Sequence, residues 1–265
     1  MSALNSPKVL LVPRRLLALS LPLFICYKSV QLIRVTETMR PLLIFDFDGT
    51  LIDSVPDLAE AVNAMLGEFD KPMRPMDAVR GWVGNGARPL VARAWFNRTE
   101  LTDAELNHPE VDTALDVFFS KYSDISGQKT VPYADVDAGL HELKRAGFTL
   151  TLVTNKPMQF VPKILQSLGW QDLFSEVLGG DSLPHKKPDP APLLYVCNKL
   201  GFDVSNAMMI GDSKNDILAG QNAGMVTLGV SYGYNYGQDI RDFKPSEAFD
   251  DFASLKDWLM TNDEN

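Results

Sequence analysis

Cysteine is nearly absent from this chain of 265 residues: Cys26 and Cys197 are the only two. They are too few and too far apart for a disulfide framework or a cysteine-based metal cluster, so a reducing, cytoplasmic setting is the expectation. Long apolar runs are also missing. The stretch Leu16 to Tyr27 is uncharged, but it is 12 residues long and contains Pro22, whereas a membrane-spanning helix needs about 20 residues. No small-x-small cleavage site follows it, which argues against a secretory leader. Positive charge is scarce as well, with 25 Lys and Arg against 34 Asp and Glu and a net charge of −9. That balance disfavours a nucleic-acid footprint and attraction to anionic membranes. Residues 1 to 39 run against it, with a local +4 that leaves −13 for residues 40 to 265. The functional chain is therefore expected to begin near Met39, with residues 1–38 a poorly ordered extension or no part of it.

With 45% hydrophobic residues, the chain can bury a sizeable core. Its organising stretch is Leu42-Leu43-Ile44-Phe45-Asp46-Phe47-Asp48-Gly49-Thr50, four apolar residues running into two acids and a turn. A continuous apolar run marks a strand buried on both faces of a parallel sheet. Ligands in such sheets bind beyond the carboxyl ends of the strands, where Asp46 and Asp48 stand.

From Asp57 to about Lys129 the apolar spacing is helical, and no strand-like run interrupts it. Gly84-Asn85-Gly86 lies in a Gly-rich break within this region, and polar Thr99 to Glu110 reads as a surface turn. From Val131 onward helical and short apolar runs alternate. Four predicted helices end in Gly plus a hydrophobe: Gly147-Phe148, Gly169-Trp170, Gly201-Phe202 and Gly224-Met225. That order suits a Schellman ending, in which Gly takes the left-handed position and the apolar residue folds back. Strands are expected at Thr149 to Val153, Glu176 to Leu178, Ala207 to Ile210 and Met225 to Val230. The alternation predicts an α/β fold with right-handed βαβ units, and 57–129 becomes a helical insertion after the first strand.

The residues just after these strands are Asp46 and Asp48, then Thr154-Asn155-Lys156, then Gly211-Asp212 to Asp216, with His185-Lys186-Lys187-Pro188 between the last two. Four carboxylates converging at one sheet edge repel one another unless some are protonated or a cation sits among them. A hard, oxygen-liking ion such as Mg2+ suits that set, and the hydroxyl and lysine then suit a phosphate held beside it.

In that order these motifs resemble the haloacid dehalogenase superfamily, from about Met39 to the C-terminus. The acid at position 48 is similar to the phosphotransferase branch, and Val83 to Ala87, Val153 to Pro157 and Tyr232 to Gly237 are similar to bacterial phosphoglycolate phosphatases. The resemblance implies a Rossmann-like core (39–54 and 131–265) flanked by helices, with a small helical cap (55–130). It implies hydrolysis of a small phosphorylated metabolite, 2-phosphoglycolate, by a monomer or homodimer that binds neither nucleic acid nor membrane. Asp46 would be the nucleophile and Asp48 the acid-base. Mg2+ would be held by Asp46, the main-chain carbonyl of Asp48, and Asp212, with Asp216 an orienter or further ligand. Thr154, Asn155 and Lys187 would bind phosphate, Lys187 being preferred to Lys186 because it abuts Pro188. Gly84, Asn85 and Gly86 would contact substrate from the cap, while Tyr232 to Gly237 reads equally as a surface loop or a substrate element. Alternatives are the same chemistry on another ester (a nucleotidase, pyrophosphatase or sugar-phosphate phosphatase or mutase) and, more remotely, a non-catalytic binding protein.

Overall fold

A computed structural model describes residues 40–262; the expectations for residues 1–38 lie outside them. Strand β1 (Leu42–Phe45) is fully buried along its length. It is the inner strand of a six-stranded parallel sheet in the order β5-β4-β1-β6-β7-β8, the others being β4 (Thr149–Val153), β5 (Glu176–Leu178), β6 (Ala207–Gly211), β7 (Val226–Val230) and β8 (Glu247–Phe249). Alternate β1 residues serve opposite layers. Leu43 and Phe45 pack with α6 (Val136–Arg145), α7 (Val161–Ser167) and α10 (Phe252–Thr261). Leu42 and Ile44 pack with α8 (Ala191–Leu200) and α9 (Lys214–Ala223). Each such large side chain withdrawn from water contributes about 1.5–3 kcal/mol, which is why this strand carries no polar residue until Asp46.

The four Gly-hydrophobe stops behave as their chemistry requires. Gly147, Gly169, Gly201 and Gly224 all have φ between 72° and 96°. The following N–H reaches back five residues to a helical carbonyl each time, as in Phe148 to Leu143 (3.1 Å) and Trp170 to Leu165 (2.8 Å).

Between the first two sheet strands lie α1 (Val55–Glu68), α2 (Met76–Arg80), α3 (Ala87–Phe96), α4 (Asp103–Leu106) and α5 (Pro109–Ile125). They form their own apolar cluster, joined from outside by Phe160 and Tyr234. Thr99 to Glu110 is not simply a turn: α4 sits inside it, started by Thr102 and Glu105, which cap one another reciprocally. A two-stranded antiparallel ribbon that the sequence pattern does not announce, β2 (Ile52–Asp53) with β3 (Val131–Pro132), joins the ends of the helical segment. Beside it the buried Asp57 carboxylate accepts hydrogen bonds from the N–H groups of Gly127, Lys129 and Thr130 and from the Thr130 hydroxyl, at 2.6–3.1 Å.

Candidate active site

The sheet order reverses at β1, because the chain leaves it for β4 and β5 on one side and returns to β6 and β7 on the other. The crevice between the diverging loops is where such sheets place ligands. Phe45 pairs with both Leu152 and Ile210, so Asp46, Thr154 and Asp212 follow within two residues of one another's level at the same edge.

The Asp46 Oδ1 accepts from the Lys187 ammonium at 2.7 Å. Lys187 is buried and divides its three donors among Asp46, Asp216 Oδ1 (2.7 Å) and the Val153 carbonyl (2.5 Å). The neighbouring Lys186 instead donates to the Asn85 carbonyl at 2.7 Å, so Lys187 is the lysine at the acids. Asp216 uses its other oxygen to accept from the Ser213 N–H (3.0 Å) and hydroxyl (2.7 Å), which opens α9 and fixes the carboxylate. Asp212 accepts from the Thr50 hydroxyl at 2.9 Å and the Tyr234 N–H at 2.7 Å. Two glycines make that clamp possible: a Cβ on Gly49 (φ +94°) would lie 2.3 Å from the Asp212 carboxylate, and one on Gly233 would lie 2.2 Å from its Cβ.

Asp46, Asp212 and Asp216 present oxygens within 4.8 Å of one another. Burial, with the Asp216 charge, raises Asp46 to about 7 even though Lys187 opposes the shift. Burial, then Asp216 and Asp46, hold Asp212 well above the usual carboxylate range. An all-oxygen donor set whose members resist ionising side by side fits a hard dication.

Asp48 points a different way. Its carboxylate accepts from the Ser54 hydroxyl (2.5 Å) and from the Lys156 ammonium (3.0 and 3.2 Å), and Lys156 lies 4.9 Å from the centre of the Tyr122 ring. Burial works against the Lys156 charge, but Asp48 and Tyr122 more than offset it and raise its pKa. Ser54 carries no motif of its own, and Lys156 stands within the Val153 to Pro157 motif without a role assigned to it. The signals for Lys156 are that motif and its place two residues beyond Thr154 on the same edge.

A pocket opens from Asp46, Asp48, Thr154, Asn155 and Lys156 toward an apolar wall of Leu58, Val83, Leu90, Phe118, Tyr122 and Phe160. Gly84 and Gly86 line it; Asn85 does not. The Asn85 side chain accepts from Arg93 at 3.0 Å and faces a separate cleft of about 480 Å³. The Gly84 carbonyl accepts from both Asn155 (3.1 Å) and Asn215 (3.2 Å), tying the helical segment to the sheet edge. Gly86 (φ +91°) precedes Ala87, the first residue of α3. Asn155 also donates to the Lys187 carbonyl at 3.0 Å, and its buried Oδ1 has no partner among the described residues. Tyr232 to Gly237 is no free surface loop. Tyr232 donates to the Thr50 carbonyl (2.8 Å), Tyr234 donates to Asp53 (2.9 Å) and accepts from the Ser54 N–H (3.0 Å), and Tyr236 accepts from Asn215 (3.2 Å).

A family model described as haloacid dehalogenase-like hydrolase matches residues 43–230. The chain belongs to that family. A phosphoglycolate phosphatase of Psychrobacter arcticus is 64% identical over 221 residues, which is 83% of this chain and 96% of that protein. One from Pasteurella multocida is 45% identical over 218 residues, 82% of this chain and 97% of its own. Among solved structures, a predicted phosphoglycolate phosphatase from Haemophilus somnus 129PT has a TM-score of 0.74 at 40% identity, covering 83% of this chain and 97% of that one. The haloacid dehalogenase-like assignment agrees with the six-stranded parallel sheet flanked by helices. No helix among the described residues is long and apolar enough to cross a membrane.

Proposed function

We propose that this hydrolase is a Mg2+-dependent, cytoplasmic phosphoglycolate phosphatase working through an aspartyl-phosphate on Asp46. The observation that carries the reading is the division of labour between two acids two residues apart. Asp46 sits with Lys187 and the acidic group, and Asp48 faces Ser54, Lys156 and the apolar pocket. The names of relatives at 64% and 45% identity supply the substrate.

Bound Mg2+ would be held by Asp46, Asp212 and the Asp48 carbonyl, and would offset phosphoryl charge while orienting the phosphorus. Asp216 positions Lys187 and the head of α9 beside it. Asp46 attacks phosphorus as the bond to the glycolate oxygen breaks, and Asp48 gives that oxygen its proton. Asp48 then takes a proton from water as the water attacks the same phosphorus, releasing phosphate and restoring Asp46. Thr154 holds the phosphoryl oxygens, and Lys187, whose donors go to Asp46, Asp216 and the Val153 carbonyl, offsets negative charge between nucleophile and phosphate.

We assign residues 39–54 and 131–265 to the catalytic body and 55–130 to a cap that closes on the ribbon β2–β3 and excludes water. Its independent apolar cluster supports that division. Gly84 and Gly86 bring backbone close to the pocket from the cap side. The test is phosphate release from a panel of phosphomonoesters with and without Mg2+. Turnover of 2-phosphoglycolate well above nucleotides and sugar phosphates, and only with the metal, is expected; a preference for another ester overturns the substrate.

A further inference from the structure

We propose that Lys156 is the subsite for the substrate's second anion, its carboxylate, and so sets the preference for 2-phosphoglycolate over neutral phosphate esters. This rests on the substrate reading above and deepens it.

The substrate carries two anionic groups one methylene apart. The phosphoryl end has Thr154, Lys187 and the acidic, cation-holding group waiting for it. The carboxylate end must leave water with the rest of the molecule, and a carboxylate buried without a cation or donors is strongly disfavoured. Among the residues that line the pocket, Lys156 is the one base. The other nearby bases are committed elsewhere: Lys187 to Asp46, Asp216 and the Val153 carbonyl, Lys186 to Asn85, and Arg88 to Asp112 at 2.5 Å.

The position of Lys156 fits the shape of the substrate. Its ammonium is 3.0 Å from the Asp48 oxygen, and Asp48 must come within hydrogen-bond reach of the bridging oxygen to protonate it. The carboxylate carbon is two bonds from that oxygen. A cation beside Asp48 therefore stands beside the carboxylate too. An ammonium has three donors, enough to serve Asp48 and a substrate oxygen together. The Tyr122 ring, 4.9 Å from the ammonium, holds the charge at the pocket wall, and Phe118 and Phe160 pack on Tyr122 in the same apolar wall.

The experiment compares 2-phosphoglycolate with 2-phosphoglycolamide, which replaces the carboxylate by a neutral amide of the same size, on the Mg2+-loaded full chain. The parent should favour the acid in kcat/KM by about a hundredfold. Lys156→Met and Lys156→Gln should bring that ratio to within about threefold of unity, mainly through KM, whatever uniform loss follows from Asp48 losing its partner. Lys156→Arg should retain most of the preference, and circular dichroism selects the variants that fold. Equal losses on both esters, with the preference intact, would show that Lys156 serves only Asp48 and overturn the proposal. A parent that hydrolyses other esters but shows no preference for the acid overturns the substrate reading, and the subsite with it.

Discussion

Thr130 donates its hydroxyl to the Asp57 carboxylate at 2.6 Å, across 73 residues of sequence and at the point where the helical segment leaves and rejoins the sheet body. Asp57 also takes three backbone N–H groups there. Asp57→Ala leaves those donors without their acceptor, the two of Thr130 in a buried position, a loss of roughly 2–4 kcal/mol. The urea midpoint should fall without a change in slope, and turnover at low temperature should survive better than stability, because the catalytic acids are untouched.

Asp46→Asn should lower turnover by about ten-thousandfold or more on every ester, with the fold retained, since the amide keeps the shape and loses the nucleophile. Asp48→Asn separates substrates. It should cripple hydrolysis of alkyl esters but spare p-nitrophenyl phosphate in large part, because nitrophenolate leaves without a proton. Steady-state kinetics on the two esters checks both; equal losses at Asp48 would remove it as the acid.

The raised pKa values of the acidic group have a definite sign. Asp46 moves from 3.8 to about 7 on folding, so between those values the folded chain binds more protons than the unfolded one. Its contribution to stability is present below pH 3.8 and is lost as pH rises to about 7. In EDTA the parent's melting temperature should therefore decline over this window relative to that of Asp46→Asn, which lacks the titrating group. Mg2+ binds the ionised carboxylates, so its stabilising effect should grow over the same window, reaching about 2.7 kcal/mol at a hundred times its Kd. Thermal scans at several pH values, with and without the metal, measure both slopes.

Gly233→Ala tests the Tyr232 to Gly237 loop. The added methyl would meet Asp212 at 2.2 Å, and the loop's Tyr234 N–H would be displaced from that carboxylate. Mg2+ affinity, titrated by its effect on activity, should weaken by about ten- to a hundredfold, with a smaller change in KM at saturating metal.

The parts of the molecule that depend on local chemistry were legible in the sequence. The apolar run into Asp46 declares an inner parallel strand, and the four Gly-hydrophobe pairs declare helix ends, because neighbours in sequence decide both. Lys187 could be chosen over Lys186 by motif, and Lys187 is the one that pairs with Asp46 in the fold. Thr102 and Glu105 carried a legible capping signal inside a stretch that reads as a turn. The pairing of Lys156 with Asp48 was illegible for another reason: the two lie 108 residues apart, and only the tertiary fold brings them together. β2 and β3 are two residues each, too short for any period to appear. The burial of Tyr234 likewise depends on Asp53 and Ser54, 181 and 180 residues away.

The placing of the first strand in the middle of the sheet has a consequence for how the molecule is made. Thr50 reaches Asp212 across 162 residues and Asp46 reaches Lys187 across 141. No ribosome-bound fragment lacking β6 can cover both edges of β1, so an apolar strand waits with open edges while most of the chain is synthesised. Contacts of such long range also slow the search for the native state. Recovery of catalysis after dilution from denaturant is then a stringent report of complete folding, since no separately folding piece contains the acids together.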